Sequence, residues 1–577
     1  MNGDKTLAEI FSELSAAAPR TLNEFLEESV EKYRDLPASG AAFGAPMTYG
    51  VFFDRVEKVA GMLVEKGIHR GDRVAILGEN SSHWGISYFA VQRVGAAAVP
   101  ILPDFPEADI RHILCDSEVK IMFTTRKMLE RVGDLGQTRL KHIITLDDFE
   151  TELQDIKVEP ISQIIEKAVD FIKKIPGAIG LKSKEMAADD IASIIYTSGT
   201  SGHSKAVMLS HRNLIANTLA LSILIDLAPG STFLSILPLS HVYEFTVGFL
   251  FPLRIGARIV YPGVAPTPAN LEKVCRQEHP HCICAVPLIL EKIYKKRVMP
   301  VLEKNKLVKL LAKVPGLKQK IHKKIRDKLM DFFGGELVVM AIGGAPFNLE
   351  AEKFFRGCGF PYLVGYGLTE TSPLLAGGPW GDKSVKLGST GKVTPGSKIR
   401  IVDADEKSGV GEIYGWGPNV MRGYFKNPKL TAEVLDKEGW FKTGDLGRFD
   451  KLGNLYITGR SKNMILMANG ENIFPEAVEE VINASIYVVE SLVTEREGRL
   501  EAWVYPDYDL IDAETRGKTE TQRARYIEQI LEKVRASANE QLSAFSKLAR
   551  VVEQTEPFEK TPTHKIKRYL YTHQPQK

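Results

Sequence analysis

The chain has 577 residues, 44% of them hydrophobic and 25% charged, which is the balance of a globular protein with room for several domains. A net charge of +3 calls for no nucleic-acid partner. The start of the chain shows no basic stretch ahead of an apolar run, and no segment approaches ~18 uninterrupted apolar residues, so the expectation is a cytoplasmic chain without signal peptide or membrane span.

Leu22, Phe25, Leu26 and Val30 predict a helix over 21–33, and Phe52, Val56, Val59, Ala60, Leu63 and Val64 predict another over 47–67, stopped by Gly67. Strands at 74–77, 96–102 and 119–123 alternate with helices at 84–93 and 110–116. Alternation of this kind predicts an α/β sheet with mostly parallel strands. Residues 147–190 are more polar and read as a surface excursion with one amphipathic piece at 161–175. Ser210 is placed to cap the helix that follows, and alternation resumes through 231–239, 257–261, 271–278 and 282–287.

Five cysteines at 115, 275, 282, 284 and 358 are too sparse for a disulfide framework. Cys282 and Cys284 lie near His279 and His281, but their alternation reads as a buried strand and no second ligand pair stands at zinc spacing. From Lys295 to Lys328 thirteen Lys/Arg face two acids, Glu303 and Asp327, and Pro315-Gly316 splits the stretch into two amphipathic helices. This stretch reads either as a solvated basic face or as a surface for an anionic partner, a membrane or an acidic carrier protein. From Gly388 onward short glycine-rich strands predict a small β-barrel, and after Gly459-Arg460 the pattern resets to a separate α+β unit of about a hundred residues.

Three polar motifs stand out. Strand-like Ile194-Ile195-Tyr196 runs into Thr197-Ser198-Gly199-Thr200-Ser201-Gly202-His203-Ser204-Lys205. Glycines allow close backbone approach to an anion, the hydroxyls add donors, and Lys205 adds a mobile charge, although the spacing is not that of a Walker loop. The second motif is Gly365-Tyr366-Gly367-Leu368-Thr369-Glu370-Thr371, preceded by the turn Gly343-Gly344-Ala345. The third is Thr443-Gly444-Asp445, followed by Gly459-Arg460-Ser461-Lys462 and Gly470, with Lys560-Thr-Pro-Thr-His-Lys565 near the end.

In this order and spacing the motifs resemble the adenylate-forming superfamily, and Pro238-Leu-Ser-His241-Val-Tyr-Glu244-Phe245 makes the chain most similar to bacterial long-chain fatty-acid–CoA ligases. The resemblance implies an α/β fold: two α/β subdomains and a small β-barrel within 1–460, then a smaller mobile α+β domain over 461–577. It implies activation of a fatty acid with ATP to acyl-AMP and transfer to CoA, with Mg²⁺ as cofactor. In that reading Thr197, Ser198, Gly199, Thr200, Ser201, Gly202 and Lys205 hold the β- and γ-phosphates. Glu370, with Thr200, serves Mg²⁺, and Thr369 meets the α-phosphate. Tyr366 and Gly367 pack the adenine against Gly343, Gly344 and Ala345. Asp445 and Arg460 take the ribose. Lys565 bridges carboxylate and α-phosphate, and Gly470 lines the CoA channel after a rotation about Lys462. His241 would align the carboxylate and Phe245 would gate an acyl tunnel.

On the residues alone, Tyr366 and Asp445 are ordinary turn residues, His241 a buried hydrogen-bonded histidine, Phe245 a core aromatic, and Lys565 one lysine of a basic tail. The chain departs from the family pattern at Ser201, Ser204, Ala206 and His564, and Asn463 stands where many members carry aspartate. None of these removes a group that the chemistry requires. An acyl carrier protein as acceptor and a catalytically idle lipid-binding member are the rival functions.

Overall fold

The structure is a computed structural model that describes residues 6–147, 151–153, 155–172, 186–197, 204–300, 315–467, 472–561 and 565–571. Among these residues two large mixed sheets form the bulk of the fold. The first runs in the order Leu374–Gly377, Tyr362–Gly367, Val339–Ile342, Cys282–Ala285, Thr232–Leu234, Arg258–Tyr261, Pro37–Ala41, Met47–Thr48. Its inner strands are parallel and the two outermost pairs antiparallel. The second runs Gly423–Tyr424, Lys205–Ser210, Ile191–Thr197, Ala97–Ile101, Arg73–Leu77, Ile121–Thr124, His142–Thr145, Ile156–Pro160, Thr151–Leu153.

Helices Leu22–Tyr33, Tyr49–Glu65, Ser82–Arg93 and His211–Leu224 bury their apolar faces in one core that also takes residues from both sheets. His211–Leu224 is buried on nearly every side, as an interior helix must be when it is apolar all round. Its two buried asparagines staple it to the neighbouring chain. Asn213 Nδ2 donates to Pro418 O at 2.7 Å and Val420 O at 2.8 Å, and Asn217 exchanges bonds of 3.0 and 3.1 Å with the backbone of Leu374. Ser210 caps this helix as expected, accepting from Asn213 N while Asn213 Oδ1 accepts from Ser210 N.

Where the structure differs from the sequence pattern, backbone pairing is the reason. Helix Tyr49–Glu65 starts late because Met47 and Thr48 pair with the strand Pro37–Ala41, after which the Thr48 hydroxyl caps the helix. The polar excursion is not irregular throughout. Ile156–Pro160 joins His142–Thr145 in parallel and Thr151–Leu153 folds back on it, so the segment widens the second sheet. Helix Ile161–Ile172 follows, and residues 173–185 lie outside the described set. Cys282 and Cys284 sit fully buried in a central strand, and burial pushes both thiols above their usual range. Of the two basic helices, Pro315–Phe332 is present, while 301–314 lie outside the described residues.

The glycine-rich region forms a four-stranded antiparallel sheet, Lys398–Val402, Gly411–Trp416, Phe441–Phe449, Leu455–Arg460, with Ala376, Ile413 and Leu455 at its centre. Beyond it a small α+β unit has its own core. Strands Val488–Arg496, Arg499–Pro506 and Leu548–Glu553 are covered by helices Pro475–Asn483 and Glu520–Gln541, with Val478, Ile482, Val493, Leu500, Ile527 and Ile530 between them. The long helix starts before the apolar pattern does because Thr519 and Gln522 form a capping box.

Candidate active site

The first sheet delivers two turns to one place. Strand Val339–Ile342 ends in Gly343-Gly344-Ala345, with Gly344 at φ +86°, a conformation that suits glycine. A Cβ on Gly343 would stand 3.4 Å from the Tyr243 ring, whose hydroxyl donates to Ala341 O at 2.8 Å. Small residues therefore leave an open shelf here, with Gly344 and Ala345 exposed.

The neighbouring strand Tyr362–Gly367 carries Tyr366, whose hydroxyl donates to Asp445 Oδ2 at 2.8 Å. Asp445 faces Arg460 across the antiparallel pair, and Arg460 Nε lies 3.0 Å from Asp445 Oδ1. Both carboxylate oxygens thus have partners, which a carboxylate that is 5% exposed requires. Gly367 can be nothing larger, because a Cβ there would fall 1.8 Å from Pro373 O. The chain then enters the 3₁₀ turn Thr369–Thr371, pinned by Leu368 N donating to Thr371 Oγ1 at 2.9 Å.

Glu370 projects from this turn toward the second sheet. Its Oε1 accepts from the Tyr424 hydroxyl at 2.9 Å, and Lys205 Nζ lies over the Tyr424 ring, 5.2 Å from the centroid. Strand pairing sets the arrangement, since Tyr424 is opposite Val207 and Lys205 opposite Thr197. Burial lowers the Lys205 pKa; the Glu370 charge opposes that shift, and the Lys462 and Arg460 cations reinforce it. Tyr424 has no sequence signal that separates it from a core tyrosine, and the motif reading missed it. Ser198, Gly199, Thr200, Ser201, Gly202 and Gly470 lie outside the described residues.

The C-terminal unit supplies the last group. Thr561 N donates to Lys565 O at 2.8 Å, and Lys565 N donates back to Thr561 Oγ1 at 3.2 Å. The basic neighbours of Lys565 are all engaged: Lys560 with Glu490, Lys567 with Glu559, and Arg568 with Glu479. Lys565 has no ion pair among the described residues. Lys565 is exposed to solvent, yet desolvation by the surrounding protein is the first cause of its lowered pKa. Arg460 adds to the lowering, while Asp445 and Glu370 oppose it. The Lys565 charge adds to the burial that brings His241 down to about 4. His241 is therefore neutral at physiological pH. Its Nδ1 accepts from Tyr243 N at 3.2 Å, which leaves the proton on Nε2. Lys565, His241, Glu370, Asp445 and Arg460 thus share one electrostatic field.

Phe245 is buried. It packs against Tyr88, Trp84 and Phe249 at centroid separations of 4.5, 6.0 and 5.6 Å. Asn463 has a local reason, since its Nδ2 donates to Glu476 Oε1 at 2.5 Å, where an aspartate would meet a like charge.

Among curated relatives, the long-chain-fatty-acid–CoA ligase heimdall of Drosophila melanogaster is 29% identical over 514 residues, covering 82% of this chain and 74% of its own. The long-chain-fatty-acid–CoA ligase ACSBG2 of Homo sapiens is 27% identical over 526 residues, with the same coverage of 82% and 74%. Among solved structures, a benzoate CoA ligase from Burkholderia xenovorans LB400 aligns at a TM-score of 0.75 and 19% identity, over 96% of this chain and all of its own. The ATP-bound RpMatB-BxBclM chimera B1 aligns at 0.74 and 22%, over 96% and 98%. These two structures share the fold described above, including the small C-terminal domain. The family model described as AMP-binding enzyme matches residues 26–425, well over half of the sequence, and the chain belongs to that family.

Proposed function

We propose that this chain is an ATP-dependent acid–thiol ligase that joins a fatty acid to AMP with loss of pyrophosphate, then passes the acyl group to CoA. The reading is supported by the geometry at the junction of the two sheets, where Tyr366 and Arg460 hold the two oxygens of Asp445 and Tyr424 holds Glu370 with its ring under Lys205; the charge of Lys565, from the far end of the chain, bears on the same groups. A carboxylate becomes a good acyl donor only once its oxygen is tied to a phosphate. The transition state for that step gathers negative charge, which fixed cations stabilise. Lys565 is suited to bridge the carboxylate and α-phosphate. Thr369 faces the α-phosphate, and the phosphate loop at 197–205 holds the leaving pyrophosphate. His241, held neutral, offers Nε2–H to the carboxylate without adding charge. Asp445 and Arg460 take the ribose, and Tyr366 lies along the adenine beside Gly343-Gly344-Ala345. Fatty-acid substrates follow from the curated relatives, whose names specify long-chain acids.

Glu370 suits Mg²⁺, which takes one or two carboxylates plus substrate phosphates rather than an all-protein cage. Its Oε1 is held by the Tyr424 hydroxyl, and the Tyr424 ring lies under Lys205 Nζ. When bound, the ion neutralises phosphate charge; the chain's part is to aim the carboxylate. For the second half-reaction, residues from 461 onward would rotate as a body about Lys462, withdrawing Lys565 and bringing the segment around Gly470 to the CoA channel. The helix Pro315–Phe332 exposes Lys318, Lys320, Lys323, Lys324 and Lys328, a face that fits an anionic membrane surface or an acidic carrier.

The test separates the half-reactions. Lys565→Ala should cut acid-dependent pyrophosphate release by about 10²–10³-fold, a loss of the size seen when one transition-state donor is removed. Thioester formation from supplied acyl-AMP and CoA should be largely spared. Equal loss in both steps would refute the role of Lys565. No pyrophosphate exchange over a broad panel of acids would favour the idle lipid-binding reading.

A further inference from the structure

Within the basic stretch, Lys295 does not behave as a surface residue. It lies in the π-helical turn Tyr294–Val298, which continues the helix Pro287–Ile293. Its Nζ donates to Asn483 O at 2.7 Å, Ser485 O at 3.1 Å and Val488 O at 3.1 Å. An ammonium has three N–H donors, so all of its hydrogen bonds go to backbone of the C-terminal unit. Asn483 is the last residue of the helix Pro475–Asn483, where carbonyls lack intrahelical partners and the helix dipole is negative. Burial lowers the Lys295 pKa, and the charges of Glu291 and Asp507 hold it up.

The segment that carries Lys295 is fixed at both ends. At its start, Val286 Cγ1 would meet a Cβ on Gly344 at 3.9 Å, so the helix begins against the nucleotide shelf. Along its length Glu291 Oε1 accepts from Asn348 N at 2.9 Å, and Tyr294 packs on Phe354 with centroids 5.4 Å apart. At its end Arg297 lies over the Phe332 ring at 4.7 Å. A rigid strut of twelve residues, 287–298, about 18 Å long at the helical rise of ~1.5 Å per residue, thus joins the nucleotide shelf to the C-terminal unit.

We infer that Lys295 is a positioning residue for adenylation: its three bonds to Asn483, Ser485 and Val488 hold the C-terminal unit in the orientation that presents Lys565, and they break when that unit turns. This inference rests on the ligase reading for its kinetic arm only. Orientation is a property of the chain by itself.

The experiment uses the full chain with Lys295→Met and, as a gentler variant that keeps two donors without the charge, Lys295→Gln. Spin labels at Lys353→Cys and Arg516→Cys, both exposed, report the orientation in a Cys115→Ser background; the other four native cysteines are buried. The wild type should show one dominant distance. The variants should lose at least half of that population to other distances. In the kinetic arm, single-turnover pyrophosphate release with palmitate should fall about tenfold in Lys295→Met and less in Lys295→Gln, while thioester formation from palmitoyl-AMP stays within about twofold. An unchanged distance distribution in a folded variant overturns the inference, whatever the kinetics. So does an equal loss in both half-reactions. If the wild type releases no pyrophosphate, the ligase reading fails and the distance measurement alone decides the role of Lys295.

Discussion

Glu244 is a carboxyl group that the fold buries completely, at the first position of the π-helical segment Glu244–Leu250. Among the described residues neither oxygen has a well-formed hydrogen bond, and the nearby Ser235 hydroxyl and Leu237 N–H offset only part of the burial. Burial raises its pKa from 4.5 to about 8. The folded state therefore holds a proton that the unfolded state releases above pH 4.5. Below that value the group costs nothing extra. Above it, each pH unit removes about 1.4 kcal/mol of stability until the folded pKa is approached, about 3 kcal/mol at pH 7 and about 4 kcal/mol at pH 8. Glu244→Gln removes the ionisation and keeps the shape. The variant should match the wild type near pH 5 and exceed it increasingly toward pH 8. Equilibrium urea unfolding at pH 5, 6, 7 and 8 measures the difference. The buried histidines, His211 and His241, both near 4, destabilise either protein as pH falls below 6.5 and cancel in the comparison. A difference that does not change with pH would mean that Glu244 is ionised and paired in the fold, and the reasoning would be wrong.

Tyr424→Phe removes the hydroxyl that holds Glu370 and keeps the ring beneath Lys205, so the Mg²⁺ midpoint for pyrophosphate release should rise about 3- to 10-fold, in line with the loss of one hydrogen bond of ordinary net strength. Tyr424→Leu should add a loss of ATP affinity, read by calorimetry with and without the metal. Asp445→Ala strips partners from Tyr366 and Arg460 and should weaken AMP binding by about 30-fold or more, measured in the same way. Gly367→Ala drives a Cβ into Pro373 O, and the expected result is a lower melting temperature together with loss of adenylation.

The elements that could be read ahead of the structure were those whose chemistry is local. The antiparallel strands on either side of the glycine- and hydroxyl-rich segment announce themselves by an apolar run ahead of it, and Ser210 by its capping geometry. The pairing of Tyr366 with Asp445 rests on strand register between distant segments, and only the family resemblance brought the two together. Tyr424 was missed for the same reason, since its role arises from the strand placed beside Val207 and Met208. Lys295 was hidden by its neighbours, because a charge count treats it like the exposed lysines of the following helix. Edge strands at 151–160 escaped because polar residues suffice where one side faces water. The π-helical turns at 244–250 and 294–298 leave no mark in periodicity at all.

The ion pairs of Lys560 with Glu490 and of Arg568 with Glu479 flank Lys565 on both sides. They bolt that stretch to the sheet and helix beneath it, so the lysine travels with the whole unit, as a tooth travels with its gear. Under the proposed rotation, a slight tilt at the 461–463 turn would be magnified into an arc at Nζ, in proportion to the lever between them. Substitutions on the far flank of the small domain, remote from any nucleotide, should tune the first half-reaction by changing the seating of that lever.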